Sequence, residues 1–231
     1  MRTTPIIDVI IPAYNEENSV GKVVTALPRT ILRHIVVVNN NSNDATRANA
    51  AEAGAVVLDE TNQGYGYACL RGMNWVSEQP EKPDIVVFVD ADYSDRPEEL
   101  PLLIAPIMNE GCDLVIGSRS LGNREKGSMT PQQVFGNWLA TTLMRLLYGV
   151  RYTDLGPFRA VKYESLLKIN MRDTTYGWTV EMQLKAAKLK MKTTEIPVTY
   201  RRRIGFSKIS GTVKGTVMAG YKIITTIFKY W

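Results

Sequence analysis

Short apolar runs, separated by polar loops and amphipathic stretches, set the rhythm of the first half of the chain. Residues 6–11 (IIDVII), 35–38 (IVVV), 55–58 (AVVL), 85–89 (IVVFV) and 113–116 (DLVI) read as strands. Between them, residues 20–27, the stretch after Asp44, residues 63–76 and residues 96–108 read as helices. Asp44 is placed to cap the second of these, and Asp95 to cap the fourth. Pro97 stands in the first turn of that fourth helix, where a missing N–H costs little. Apolar runs without polar alternation imply strands covered on both faces. Their alternation with helices implies a mostly parallel sheet. The expected fold class is therefore α/β, a mostly parallel central sheet flanked by helices.

The second half loses this rhythm. Residues 120–130 (SLGNREKGSMT) read as a mobile loop, residues 132–147 and 176–189 as helices, and residues 192–200 as a region of paired strands. After YRRRIGFSKISG, residues 212–231 form a last helix. Lys214, Lys222 and Lys229 fall on one face of it, and Val217, Ile224, Ile227, Phe228 and Trp231 supply a broad apolar remainder. Such a basic amphipathic helix suits an anionic membrane surface, or else it packs its apolar face on the domain with the lysines in water. There is no repeat and no low-complexity linker, so residues 1–231 are expected to form a single domain, with functional halves 1–119 and 120–231.

Composition narrows the setting. The formal net charge is +5, which suits an acidic partner without choosing among nucleotide, phosphate, lipid and nucleic acid. Cys69 and Cys112 lie inside apolar stretches and read as buried thiols of a reducing cytosol. His34, the one histidine, offers no metal set and reads as structural. The N-terminal MRTTPIIDVIIP lacks the apolar core of a secretory leader, and no apolar run of about 18 residues exists to span a bilayer. A cytoplasmic protein, peripheral at most on the inner membrane, is expected.

In parallel α/β sheets ligands bind beyond the carboxyl ends of strands, and the unusual polar groups sit there: PAYNEE after the first strand, NNNSND after the second, DADYSD after the fourth. Asp90 and Asp92, at i and i+2, would face opposite ways within a strand but can converge where the chain turns. Hard divalent cations prefer such oxygen ligands and keep positions open for substrate phosphates. The same residues also fit a solvated turn, and Glu16 also fits a first-turn carboxylate favoured by the helix dipole. Basic residues cluster beside this motif rather than along an aromatic-studded face, which argues against nucleic acid.

VIIPAYNEE, VVVNNNSNDAT, NQGYGYACLRGM, FVDADYSDRPEEL and VIGSR, in that order, resemble family 2 glycosyltransferases of the GT-A fold. DLGPFRA, YGWTVEMQLKAA and EIPVTYRRRIGFSKISG look most like the branch that makes dolichyl- or polyprenyl-phosphate sugars. The resemblance implies inverting, metal-dependent transfer of a hexose from a nucleoside diphosphate sugar to polyprenyl phosphate. Pro12, Ala13, Tyr14, Asn15, Glu16, Asn39, Asn41, Gly64, Gly66, Asp90, Ala91 and Asp92 would bind the nucleotide sugar. Asp90 and Asp92 would hold Mg²⁺ or Mn²⁺. Arg119, Gln133, Arg202 and Lys208 would hold the acceptor phosphate, and Asp154, Arg119 and Glu181 are the catalytic candidates. A soluble acceptor, or a nucleotide-sugar-binding module without turnover, remains open at this level.

Three departures bear on specificity. Asn39 stands where the family usually has Asp, and an amide suits uracil better than guanine, whose N1–H and N2–H₂ both donate; a UDP-sugar is expected. Asp154 is one residue off the family's pattern. Gln132 or Gln133 replaces an Arg expected to touch the acceptor phosphate.

Overall fold

The computed structural model describes residues 5–205 and 213–231. The five expected strands are present: β1 (Ile7–Ala13), β2 (His34–Asn39), β3 (Val56–Asp59), β4 (Ile85–Phe88) and β5 (Leu114–Ser118). Between them run α1 (Val20–Ala26), α2 (Thr46–Glu52), α3 (Tyr65–Glu78) and α4 (Leu100–Glu110). The second half contributes α5 (Pro131–Tyr148), β6 (Arg159–Lys162), α6 (Tyr163–Ile169), α7 (Trp178–Lys188), β7 (Thr193–Pro197) and α8 (Val213–Lys229).

The strands form one seven-stranded sheet in the order β3-β2-β1-β4-β6-β5-β7. Pairing is parallel throughout except around β6, which runs antiparallel to both β4 and β5. Strands β1 and β4 are buried at every residue. Ile10 faces a core made with α3, α5, α6, α7 and α8, while Val9 and Ile11 face a second core made with α1, α2 and α4. This three-layer arrangement explains the uninterrupted apolar runs: both faces of each central strand must leave water, at about 1.5–3 kcal/mol per aliphatic side chain.

Four readings change. Residues 192–200 hold one strand rather than a pair; Tyr200 makes only isolated bridges, to Asp95 and Arg124. β6 and α6 were not foreseen. Asp95 caps nothing: the helical segment opens as a single 3-10 turn at Pro97–Glu99, and no side chain caps it. The Asp95 carboxyl is instead buried beneath the turn after β4, its two oxygens without hydrogen-bond partners among the described residues. Asp44 does not take the cap position of α2 either, which falls to Ala45; it sits one residue earlier, its Oδ1 accepting from Thr46 N at 3.0 Å. His34 is structural, edge-on to Trp75 at 5.1 Å, and both cysteines are buried and unbridged. No helix among the described residues is long and apolar enough to cross a membrane.

Burial, and then the charges of Asp90 and Asp92, push the Asp95 carboxyl well above the usual carboxylate range. A group protonated more readily in the fold than in the unfolded chain contributes least penalty below the unfolded value, near 3.9, and loses stability for the protein as pH rises above it. Asp95→Asn is therefore expected to flatten the fall of melting temperature as pH rises above that unfolded value. Thermal melts of both proteins over that rise in pH check it; parallel slopes would contradict the assignment.

Candidate active site

Strand order reverses at β1, with β2 and β3 on one side and β4 on the other. A cavity of about 630 Å³ opens beyond the carboxyl ends of these strands, a size ordinary for small-ligand pockets. From the loop after β1 come Pro12, Ala13, Tyr14 and Glu16; from the turn after β4 come Asp90, Ala91 and Asp92. Gln63, Gly64 and Tyr65 close one side at the start of α3, and Asn40 stands after β2. Thr175, Tyr176 and Arg203 come from the second half of the chain.

The DAD turn is built by Tyr93, whose φ of +62° reverses the chain immediately after Asp92. Asp92 then folds over that turn, its Oδ1 accepting from Ser94 N at 2.9 Å and Ser94 Oγ at 2.5 Å. Its Oδ2 faces Arg203 Nη1 at 3.2 Å. Asp90 is deeper and accepts from the Tyr65 hydroxyl at 3.0 Å. Burial, followed by the charge of Asp92, pushes the Asp90 carboxyl up to about 7. Two carboxylates crowded at the base of a cavity favour a cation between or beside them. Among the described residues no cluster of three or more metal-ligating side chains exists. A pair of carboxylates still fits Mg²⁺ or Mn²⁺, which take remaining ligands from substrate phosphate and water.

The three arginines after Tyr200 go three ways. Arg201 stacks on the Tyr93 ring at 3.3 Å and donates to Tyr93 O at 2.6 Å and Asp95 O at 3.0 Å, fastening the DAD turn. Arg202 donates to Lys126 O at 2.9 and 2.8 Å, strapping the loop 120–130. Arg203 enters the cavity, bridging Glu16 Oε1 at 2.5 Å and Asp92. Arg203, not the expected Arg202, is thus the arginine in the cavity wall. Lys208 lies outside the described residues.

The remaining expected residues divide. Asn15 and Asn41 adopt left-handed backbone and shape the two loops, Asn15 Oδ1 accepting from Asn43 N at 3.0 Å. Asn39 lies beside the wall; its Nδ2 donates to Asp59 Oδ1 at 2.9 Å, and its buried Oδ1 has no hydrogen-bond partner among the described residues. Gly64 lines the cavity, and both Gly64 and Gly66 let another stretch of backbone approach: a Cβ on either would overlap the carbonyl of Thr174 or Asp173.

Asp154, the candidate base or orienter, and Glu181, a candidate to orient acceptor groups, are both tied into buried networks. Asp154 is fully buried and grips Arg119, from Nε at 2.9 Å, Nη2 at 2.6 Å and the backbone N at 2.7 Å. Arg119 in turn lies over the Tyr200 ring at 5.1 Å, so Asp154 orients an arginine. Glu181 is buried on α7 and accepts from Tyr230 Oη at 2.6 Å and Asp173 N at 2.6 Å, with Lys185 at 2.7 Å. Burial alone would raise its pKa; the hydrogen bonds from Lys185 and Tyr230 outweigh that and lower it. Gln133 completes a capping box with Thr130 at the start of α5, so its side chain holds a helix end rather than a phosphate.

Sequence reasoning missed Asn40, Gln63, Tyr65, Thr175, Tyr176 and Arg203. Asn40 and Tyr65 sat inside motifs already singled out. Tyr176 opens the motif YGWTVEMQLKAA and reads from sequence as the first residue of a helix, which begins only at Trp178; Thr175 and Tyr176 belong to the irregular segment before it.

The pattern of Glycosyl transferase family 2 matches residues 8–169. An uncharacterized glycosyltransferase of Mycobacterium tuberculosis is 33% identical over 216 residues, covering 92% of this chain and 94% of that protein. Undecaprenyl-phosphate mannosyltransferase of Micrococcus luteus is 32% identical over 221 residues, covering 89% and 88%. Glucosyl-3-phosphoglycerate synthase from Mycobacterium tuberculosis, solved with Mn²⁺, UDP and phosphoglyceric acid, superposes with a TM-score of 0.77 at 21% identity over 98% of this chain and 78% of that one. With a sheet that reverses at β1, acidic residues at the end of β4 and a family match over most of its length, the chain belongs to glycosyl transferase family 2 and is a glycosyltransferase of the GT-A fold.

Proposed function

We propose that the protein transfers a hexose, with inversion, from a nucleoside diphosphate sugar to a polyprenyl phosphate at the cytoplasmic face of a membrane. The observation that carries this reading is the cavity itself: two carboxylates at its base, Asp90 and Asp92, opposite an arginine, Arg203. Asp90 and Asp92 would hold the Mg²⁺ or Mn²⁺. Bound there, the cation would neutralise charge building on the departing diphosphate. Tyr14 offers its ring to the nucleoside, and Arg203 and Arg119 offset the repulsion between donor and acceptor phosphates.

An ionised phosphate oxygen attacks the anomeric carbon as the bond to the diphosphate breaks, and no proton has to be removed. The engagement of Asp154 with Arg119 and of Glu181 with Tyr230 is consistent with such an acceptor, since neither carboxylate has to serve as a base. The similarity to undecaprenyl-phosphate mannosyltransferase supports a lipid acceptor. So do the exposed apolar side chains Val217, Met218 and Phe228 on α8, with Phe135 and Trp138 on α5, which packs beside it. Residues 1–231 work as one domain in this reading, although donor and acceptor duties are not split at residue 119, since Thr175, Tyr176 and Arg203 reach the donor cavity.

The buried, unpartnered Oδ1 of Asn39, with its Nδ2 held by Asp59, would suit a single N–H donor such as uracil N3–H. UDP is therefore expected to bind more tightly than GDP in the presence of Mn²⁺. Calorimetry with both nucleotides, followed by incubation of UDP-hexoses with undecaprenyl phosphate or with phosphoglyceric acid, tests base and acceptor together. Preference for GDP would sink the base assignment, and transfer only to phosphoglyceric acid would sink the lipid acceptor.

A further inference from the structure

We propose that α8 is the positioning element of the donor cavity, acting through one stripe of its side chains, Lys222, Thr226 and Tyr230, on the segment that carries Thr175 and Tyr176. The proposal rests on reading that cavity as the donor site. Spaced by four, the three residues lie along one helix face, and each touches the segment between α6 and α7 or its anchor. Lys222 Nζ reaches Asp173 Oδ2 at 3.0 Å. Thr226 is buried against Gly177, where a Cβ would come within 2.6 Å of its Oγ1. Tyr230 Oη donates to Glu181 Oε1 at 2.6 Å, and Glu181 Oε2 accepts from Asp173 N at 2.6 Å.

Asp173 passes this grip on to the cavity. Its Oδ1 accepts from Thr175 N at 2.8 Å and from Gly177 N at 3.1 Å, winding the chain so that Thr175 and Tyr176 face the cavity. On the other side Thr174 O accepts from Tyr67 N at 3.1 Å, seating the segment against the start of α3. The lip thus has no regular structure of its own and hangs between α3 and α8. The Asp173 carboxylate is nearly buried, with a side-chain exposure of 7%, and Lys222 is its cationic partner, so removing Lys222 loosens the hold of α8 on the segment. The lysines expected on one face of α8 differ in their surroundings. Lys222 pairs with Asp173 while its side chain stays partly exposed, Lys229 is exposed beside the Tyr230 ring at 5.3 Å, and the Lys214 side chain lies outside the described residues.

Lys222→Ala is expected to weaken Mn²⁺–UDP binding and raise the donor KM by about tenfold, with kcat and acceptor KM within about twofold of the wild type. Lys222→Arg should restore the donor KM, and Lys229→Ala should leave it unchanged. Hydrogen exchange at the Thr175 and Gly177 amides, measured without any ligand, should quicken in Lys222→Ala and not in Lys229→Ala. Tyr230→Phe, which keeps the ring and loses only the bond to Glu181, reads the same chain of contacts if Lys222→Ala does not fold. Unchanged donor KM and unchanged exchange would overturn the proposal. Wild-type protein that binds no nucleoside diphosphate, yet shows the faster exchange in Lys222→Ala, would overturn the donor-site reading while upholding the grip of α8 on the segment.

Discussion

Asp92→Asn is expected to lower turnover by about 100-fold or more, the equivalent of roughly 2.7 kcal/mol of transition-state stabilisation, with little change in melting temperature. The substitution keeps the shape of the DAD turn, because an amide oxygen can still accept from Ser94 N and Ser94 Oγ. What it removes is the negative charge on the oxygen that faces Arg203 and the open cavity. If Asp92 holds the cation, Mn²⁺ should no longer tighten UDP binding in the variant, and added Mn²⁺ should rescue little. Initial rates and UDP titrations with and without Mn²⁺ separate the possibilities. Full turnover in Asp92→Asn would refute the metal role and, with it, the assignment of donor chemistry to this turn.

Arg203→Gln is expected to lower kcat/KM for the donor by about 10- to 100-fold, while the same change at Arg202 falls mainly on the acceptor. The contrast follows from where the two side chains go. Arg203 spans Glu16 and Asp92 with two different nitrogens of one planar fork, at 2.5 and 3.2 Å. A lysine cannot reproduce that span from a single ammonium, so Arg203→Lys should recover only part of the loss. Arg202 ends on the carbonyl of Lys126, which places it on the loop before α5 rather than in the cavity. Rate measurements at varied donor with saturating acceptor, and the reverse, distinguish the two residues. Equal effects on both substrates from both variants would mean that the segment acts only as scaffolding.

The parts of this protein that were legible in its sequence are those where one physical requirement dominates. Strands β1 to β5 announce themselves because two-sided burial demands an unbroken apolar run, and the DAD turn because it coincides with polar loops at the same ends of neighbouring strands. Strand β6 was silent for the opposite cause. It is four residues long and begins with Arg159, a fully buried cation satisfied by the carbonyls of Leu155, Gly156 and Thr179. Burial pulls its pKa down to about 10, a cost no composition rule anticipates. The settings of Asp154 and Glu181 stayed hidden because a sequence names carboxylates without their partners. Arg119 lies 35 residues from Asp154, and Tyr230 lies 49 from Glu181, although Lys185, also paired with Glu181, is only four away.

The segment from Tyr200 to Ile204 has a genetic consequence. Its backbone is tied to the DAD turn at two points, Arg201 N to Ser94 O at 2.9 Å and Ile204 N to Asp92 O at 3.0 Å, and to the loop 120–130 at Tyr200 N and Arg202 N. Three neighbouring codons therefore specify three unlike tasks: bracing the turn, strapping the loop, and facing the carboxylates. Point substitutions there should produce separable phenotypes. Loss or gain of a single codon would reassign all three at once, leaving the local charge almost unaltered while putting each guanidinium in its neighbour's place.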